Sequence, residues 1–284
     1  MTDIEYITAY EARHHSYERK ALGIVRKVFA AQKRDIINYI KDNGIANLNI
    51  AVNALIKTHP LQEAFVKIYS YVGEAEGKAE ILAFNELVTT RQKAAGVNFS
   101  DAEWRNQMVD YMLLKAGTRI SGISETTREK IKFLLALAQE QNLSTDETVK
   151  FLLAEIRSPE FPAFSRARAM AIARTESTTA ANAGSLLAGD SLTIQYEKKW
   201  VSARDDRTRR TPRDKYDHLV MNGVKVGPNQ TFSVSGDEMQ SPGDPTASKG
   251  NVINCRCIVR LTPVYDANGM PVPKVPVMNR FAMA

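Results

Sequence analysis

Thiol chemistry is nearly absent from this chain: its 284 residues include two cysteines, Cys255 and Cys257, with one residue between them. That spacing is too short for a disulfide scaffold, and a reducing cytosol opposes one in any case. Histidine is scarce too, at four residues, so any site has few imidazoles to draw on. No run approaches the roughly 18–20 uncharged apolar residues that cross a bilayer, and no membrane partner is expected. The opening stretch MTDIEYITAYEARHHSYERK is polar and acidic from its third residue, unlike a secretory signal, so synthesis in the cytosol is expected. Walker A, Gly-x-Gly-x-x-Gly, Gly-x-Ser-x-Gly and His-Glu-x-x-His motifs are all missing, which removes the enzyme classes that depend on them.

What remains is an ordinary globular composition, 44% hydrophobic and 25% charged. It suffices for a substantial core and for two modest domains or one with an appendage. The formal net charge of +6 is unevenly spread. Lys198, Lys199, Arg204, Arg207, Arg209, Arg210, Arg213 and Lys215 stand against only Asp205, Asp206 and Asp214. Such a cluster either draws in polyanions by counterion release or lines a solvated loop. Lys198, Lys199, Arg207, Arg209, Arg210 and Arg213 are the candidate nucleic-acid contacts.

Up to about residue 190 the pattern is helical. Leu61, Phe65, Ile68 and Val72 form one stripe of a 3.6-residue period after Pro60, which suits a first helical turn. Ile81, Phe84, Leu87 and Val88 continue a helical pattern towards Arg91, and Gly73 and Gly77 predict a break or bend between the two stretches. Ser124-Glu-Thr-Thr predicts a helix start, Ser144-Thr-Asp-Glu147 a capping box, and Ser165 the N-cap of a helix ending near Gly189. His14 and His15 are expected on an exposed helix surface.

After Gly189 the period changes to 2. Leu192, Ile194, Tyr196 and Trp200 alternate with polar residues, interrupted by Lys198. Asn222-Gly223 predicts a type I′ hairpin between LVM and VKV, and a further strand covers Ile253 to Leu261. Pro263, Pro271, Pro273 and Pro276 predict an extended tail lying on its own domain or on a neighbour. The expected fold class is a mostly α N-terminal region followed by a small α+β module with antiparallel strands. The expected divisions are a helical region over 1–114, a module over 115–261 (helices 115–189, α+β part 190–261) and a Pro-rich tail over 262–284.

Three constellations carry the candidate chemistry. Arg168, Arg174 and Glu176 share one helix. Residues 174 and 176 lie about 200° apart around it, so one of them can face the sheet and pair with a strand residue. Asp205, Asp206, Arg207, Asp214 and His218 offer carboxylate and imidazole for acid–base work or a divalent metal, although hydrogen-bonded turns are the commoner use of such loops. In Asn254-Cys255-Arg256-Cys257 a regular strand puts Ile253, Cys255, Cys257, Val259 and Leu261 on one face, which suits core packing. The alternative is zinc held by Cys255, Cys257 and His218 with a carboxylate, half of the usual two-pair signature.

The order of these pieces resembles the phage head morphogenesis family of Mu F-like minor head proteins. The resemblance lies in the run from Thr118 to Ile131, Leu143-Ser-Thr-Asp-Glu, Arg166 to Glu176, Trp200, Asp205 to Arg207, His218, Asn222-Gly223, Pro242-Gly-Asp and Asn254-Cys-Arg-Cys257. It covers about residues 115 to 261. It implies a structural role, without enzymatic activity, for a few-copy component inside the virion head near the portal, made in the host cytoplasm. Its expected partners are the portal protein, a scaffold or major capsid protein, and packaged DNA. The helices before residue 115 and the tail are the expected docking parts. The 23 residues after Leu261 are too few for a separate enzyme domain. The alternative is a nucleic-acid-binding or metal-dependent enzyme module using Asp206, His218 and the Cys-Arg-Cys strand.

Overall fold

A helix rich in alanine, serine, threonine and glycine can be buried on all sides, because its small side chains let neighbours approach from every direction. That is the position of Arg166–Ser191, whose residues from Thr175 to Gly189 are all buried. The computed structural model describes residues 1–88, 100–203 and 205–274. The helices in chain order are α1 (Asp3–Asn43), α2 (Leu48–Leu55), α3 (His59–Leu87), α4 (Asp101–Tyr111), α5 (Gly117–Glu140), α6 (Thr145–Arg157) and α7 (Arg166–Ser191), and a π-helical turn, Met112–Ala116, joins α4 to α5. Then come β1 (Tyr196–Val201), β2 (Lys225–Val226), β3 (Phe232–Val234), β4 (Asp237–Met239), α8 (Lys249–Val252) and β5 (Ile258–Pro263). The fold is thus a long helical region followed by a small antiparallel α+β module.

Local sequence sets the helix ends. Ser144 and Glu147 form the expected capping box, and Ser165 caps α7. Thr2 with Glu5 and Ser100 with Glu103 form two more such boxes, each worth about 1 kcal/mol. Helix α1 and helix α3 both lie along α7, and a single apolar cluster runs from Tyr6, Tyr10 and Val25 through Phe65 and Tyr69 to Ala180, Leu187 and Ile258. A second cluster gathers Ile36, Ile40, Val52, Ile131, Leu152 and Ile156 where the far half of α1 meets α2, α5 and α6.

Strand β1 is central, antiparallel to β2 on one side and β5 on the other, with Lys198 opposite Leu261 and Trp200 opposite Val259. β3 and β4 form a separate hairpin. The tail returns on its own module: Ile194 bridges Pro273, and Lys274 Nζ donates to the Gly189 and Asp190 carbonyls at the end of α7. Pro276 and the rest of the tail from 275, like Arg91 and Arg204, lie outside the described residues.

Several expectations need correction. Helix α3 runs unbroken through Gly73 and Gly77, and both glycines are buried. They serve close packing: Trp104 and Met108 of α4 sit where their β-carbons would be, and the Gly73 carbonyl sits where that of Gly184 would be. Ser124 does not start a helix but lies buried within α5. Asn222-Gly223 is not a type I′ hairpin, since only Gly223 has positive φ and the strand after it pairs with β1. The hairpin with two positive-φ residues is β3–β4, at Ser235 and Gly236. Residues 253 to 257 are not strand: Asn254 is left-handed at φ 59° and regular pairing begins at Ile258. Lys198 does not interrupt β1, because its side chain is buried and its Nζ donates to the Gln230 carbonyl (2.7 Å) and to Gln240 Oε1 (2.8 Å). His14 is buried, not on the surface, and burial lowers it to about 4 against the opposing pull of Glu18.

Glu80 of α3 ties the helices to the sheet. It accepts from the Tyr6 hydroxyl and, at 2.6 Å, from the backbone N–H of Leu261. Burial pushes its carboxyl up from 4.5 to about 7 despite these two donors. Between those pH values the folded chain keeps a proton that the unfolded chain has released, so stability falls as pH rises through the window.

Two outcomes are expected. Gly184→Ala lowers the unfolding free energy in urea by about 3 kcal/mol or more, because the clash is with backbone that cannot rotate away; an unchanged midpoint would mean that α3 and α7 do not meet there. Glu80→Gln stabilises the protein by about 1–3 kcal/mol at pH 8 and by much less at pH 4.5. Denaturant melts across that range would show an equal gap at both ends if Glu80 did not titrate there.

Candidate functional site

The polar side chains of α7 hold the backbone of the Cys-Arg-Cys segment. Thr175 Oγ1 accepts from Asn254 N–H (3.0 Å), and Thr178 Oγ1 donates to the Cys255 carbonyl (2.7 Å). Asn182 donates to the Cys257 carbonyl (3.2 Å) and accepts from Val259 N–H (2.7 Å). Residues 175, 178 and 182 follow i, i+3, i+7, one helix face. These contacts satisfy the backbone of a stretch that has left the sheet ladder. They also turn both cysteine side chains into the module core, beside Trp200, Phe232, Met239 and Val259.

His218 meets the cysteines there. Its Nδ1 lies 3.6 Å from Cys255 Sγ and 3.8 Å from Cys257 Sγ, and its ring packs edge-on against Trp200 with centroids 5.4 Å apart. The nitrogen and both sulfurs fall within 4.8 Å of one another, all three residues are buried, and the group could hold a metal ion. A hydrogen bond between the two thiols, with the Ala203 amide, holds Cys257 below the ordinary thiol range; the same bond and burial push Cys255 up.

On the other ring nitrogen, His218 Nε2 lies 3.0 Å from Asn251 Oδ1. The Asn251 amide donates to the Val234 carbonyl (3.0 Å) and to Asp237 Oδ2 (2.6 Å). Turning that amide over would set its oxygen against two acceptors, so its orientation is fixed. The oxygen facing His218 can only accept, which makes Nε2 the protonated nitrogen and leaves the Nδ1 lone pair towards the sulfurs. Asn251 and Asp237 were missed in the sequence because only the turn between β4 and α8 brings them to His218.

The remaining candidates scatter into ties between elements. Glu176 accepts from Tyr69 (2.7 Å) and Arg119 (2.8 Å), with its side chain 2% exposed. Arg174 points elsewhere, to Glu18 of α1 at 2.7 Å and to Asn254 Oδ1. Arg168 donates to the Ile123 and Ala163 carbonyls and to Thr127. The expected pairing of Arg174 or Glu176 with a strand residue is therefore replaced by pairing with helices and with the segment before β5.

The Asp206–His218 pairing is not assembled. Asp206 is exposed, Asp214 pairs with Arg213 at 3.6 Å, and among the described residues no carboxylate belongs to the group around His218. Asp205 instead takes Arg256 at both oxygens (2.5 and 2.7 Å). Burial raises its carboxyl, but Arg256, Thr208 and the Arg207 amide outweigh that and bring it down to about 2. A cavity of about 200 Å³ lies over this pair, lined by Tyr10, Glu11, His14, Arg174, Asp205 and Arg256.

The basic cluster also divides. Lys198 is buried, Lys199 and Arg260 both bind Asp3, and Arg209 donates to the Ile253 carbonyl. Arg207, Arg210 and Arg213 remain on the surface, with Arg213 tied to the Asp206 and Thr208 carbonyls.

Arg119→Ala leaves the buried Glu176 carboxylate with Tyr69 as its remaining side-chain donor, and a loss of about 3–5 kcal/mol is expected. Arg174→Ala, from a more exposed pair, costs less. Thermal melts of both variants check the order, and equal losses would refute it. Comparison of the chain with protein-family models, with curated proteins and with solved structures finds no match to any of them.

Proposed function

We propose that the chain is a minor head protein of a tailed phage or prophage, acting at the portal vertex in head assembly and in DNA packaging or ejection. One observation carries this. The separated stretches on which the resemblance rests hold one another: Arg119 binds Glu176, Arg168 binds the backbone at Ile123, Thr175 binds Asn254, and His218 meets Cys255 and Cys257. Residues used in this way build a module. The chain acts as a structural and assembly factor, not as an enzyme.

Within this reading Arg207, Arg210 and Arg213 form the face turned to packaged DNA or to a neighbouring capsid protein. The outer surface of the helical region, where Ile50, Leu82, Leu113 and Leu114 stand exposed, serves the portal, scaffold or major capsid protein. The virion interior is the destination, reached from the host cytoplasm. The ion suited to two thiolates and one imidazole is zinc, whose tetrahedral sites favour that soft donor set.

Co-expression with the portal protein encoded in the same genome, followed by size exclusion, tests the role. Co-elution is expected, weakened by Leu82→Glu or Leu113→Glu without loss of fold. A folded chain that elutes apart from the portal protein would count against portal docking.

A further inference from the structure

The Nδ1···Sγ separations of 3.6 and 3.8 Å admit a metric test. A tetrahedral ion with bonds of about 2.0 Å to nitrogen and about 2.3 Å to sulfur sets each N···S edge at about 3.5 Å. Both N···S edges therefore lie close to those of such a tetrahedron, and all three donor atoms fall within 4.8 Å of one another. A histidine serving only as core filler needs no chosen tautomer. Here Asn251 imposes one, and it is the tautomer whose free lone pair faces the two sulfurs.

The support behind Asn251 is built as well. Asp237 Oδ2 accepts from Asn251 and from the backbone N–H of Ser248 (2.9 Å), and bonds the Ser248 hydroxyl at 2.5 Å. One carboxylate thus fixes the start of α8 and the amide that orients His218. Metal-ligating histidines commonly give their other N–H to such an acceptor, and loss of that partner costs about 10–100-fold in metal affinity.

We propose that His218 Nδ1, Cys255 Sγ and Cys257 Sγ form a zinc centre in which Asn251, held by Asp237, is the positioning residue that selects Nδ1 as the ligating nitrogen. This rests on the zinc reading above. As the ion binds, both sulfurs coordinate as thiolates and the thiol protons pass to solvent. With its positioning residue the centre joins the loop that carries His218, helix α8 and the segment entering β5.

The test uses the full chain, reduced, stripped with a chelator and titrated with Zn²⁺ against a chromophoric competitor. One ion per chain is expected, with Cys257→Ser and His218→Ala losing it. Asn251→Ala should bind about 10–100-fold more weakly. Asp237→Asn, which keeps an acceptor for Asn251, should bind more tightly than Asp237→Ala. Wild-type protein labelled at histidine nitrogen gives a readout that needs no variant: with zinc bound, NMR should show His218 protonated at Nε2 and ligated at Nδ1. Ligation through Nε2, or Asn251→Ala binding as tightly as wild type, overturns the positioning role and leaves zinc standing. No zinc uptake by the folded wild type overturns both, and neither result bears on co-elution with the portal protein.

Discussion

The structure depends on a buried helix that is polar where helices are usually apolar. Hydroxyl and amide groups on α7 would each cost about 1–3 kcal/mol if buried without a partner. Thr175, Thr178 and Asn182 avoid that cost by serving as the hydrogen-bonding edge for residues 254 to 259. The segment before β5 can therefore leave the sheet and keep its backbone paired, which is why a stretch of alternating residues ends in a left-handed asparagine and two inward cysteines. The small residues on the rest of α7 serve the same placement, since Gly184 against Gly73 brings α3 close.

This constraint ties the two parts of the chain together. Tyr6 and Glu80 reach the backbone of β5 from α1 and α3, and Asp3 binds Lys199 and Arg260 from the sheet. The helical region thus contributes contacts that hold β1 and β5 in place, and the apolar cluster runs through both parts without a seam. Buried ion pairs such as Arg119–Glu176 are weak net stabilisers relative to apolar packing. Their geometry matters more as a selector of register: Arg119–Glu176 and Arg174–Glu18 each join a residue of α7 to one partner helix, and a slip of one turn would strand both charges.

Helix caps were legible in the sequence at Ser144 and Ser165, while the start at Ser124, the Asn222-Gly223 hairpin and the contacts between distant elements were not. The cap at Ser144, the cap at Ser165 and the Pro60 start rest on residues within one turn, and they stand where periodicity places them. The boxes at Thr2 and Ser100 carry the same four-residue signal and could have been found with it. Gly73 and Gly77 misled because a glycine that admits a neighbour looks the same in sequence as one that ends a helix. Lys198 misled for a related reason: a lysine in a basic run looks solvated until two carbonyls and an amide oxygen close over it. The Ser, Thr and Asn run of α7 did carry a signal, since poor helix formers at i, i+3, i+7 within a helix point to side chains with work outside it. Asn251 and Asp237 carried none, because their role exists only once His218 lies beside them.

The group at His218 shows how burial and chemistry can be separated. Burial alone favours cysteine as a small hydrophobe, and on that ground Cys255 and Cys257 need nothing beyond Trp200, Met239 and Val259 around them. The imidazole is the residue that burial does not explain. A buried imidazole, here 1% exposed, requires a partner at each ring nitrogen, and for packing alone any backbone carbonyl would serve at Nε2. What stands there instead is a side-chain amide whose own two donors are spent on Val234 and Asp237. That arrangement fixes the proton on the nitrogen away from the sulfurs. It leaves a lone pair pointed at two thiols, a direction that core packing has no need to specify and that a shared cation does.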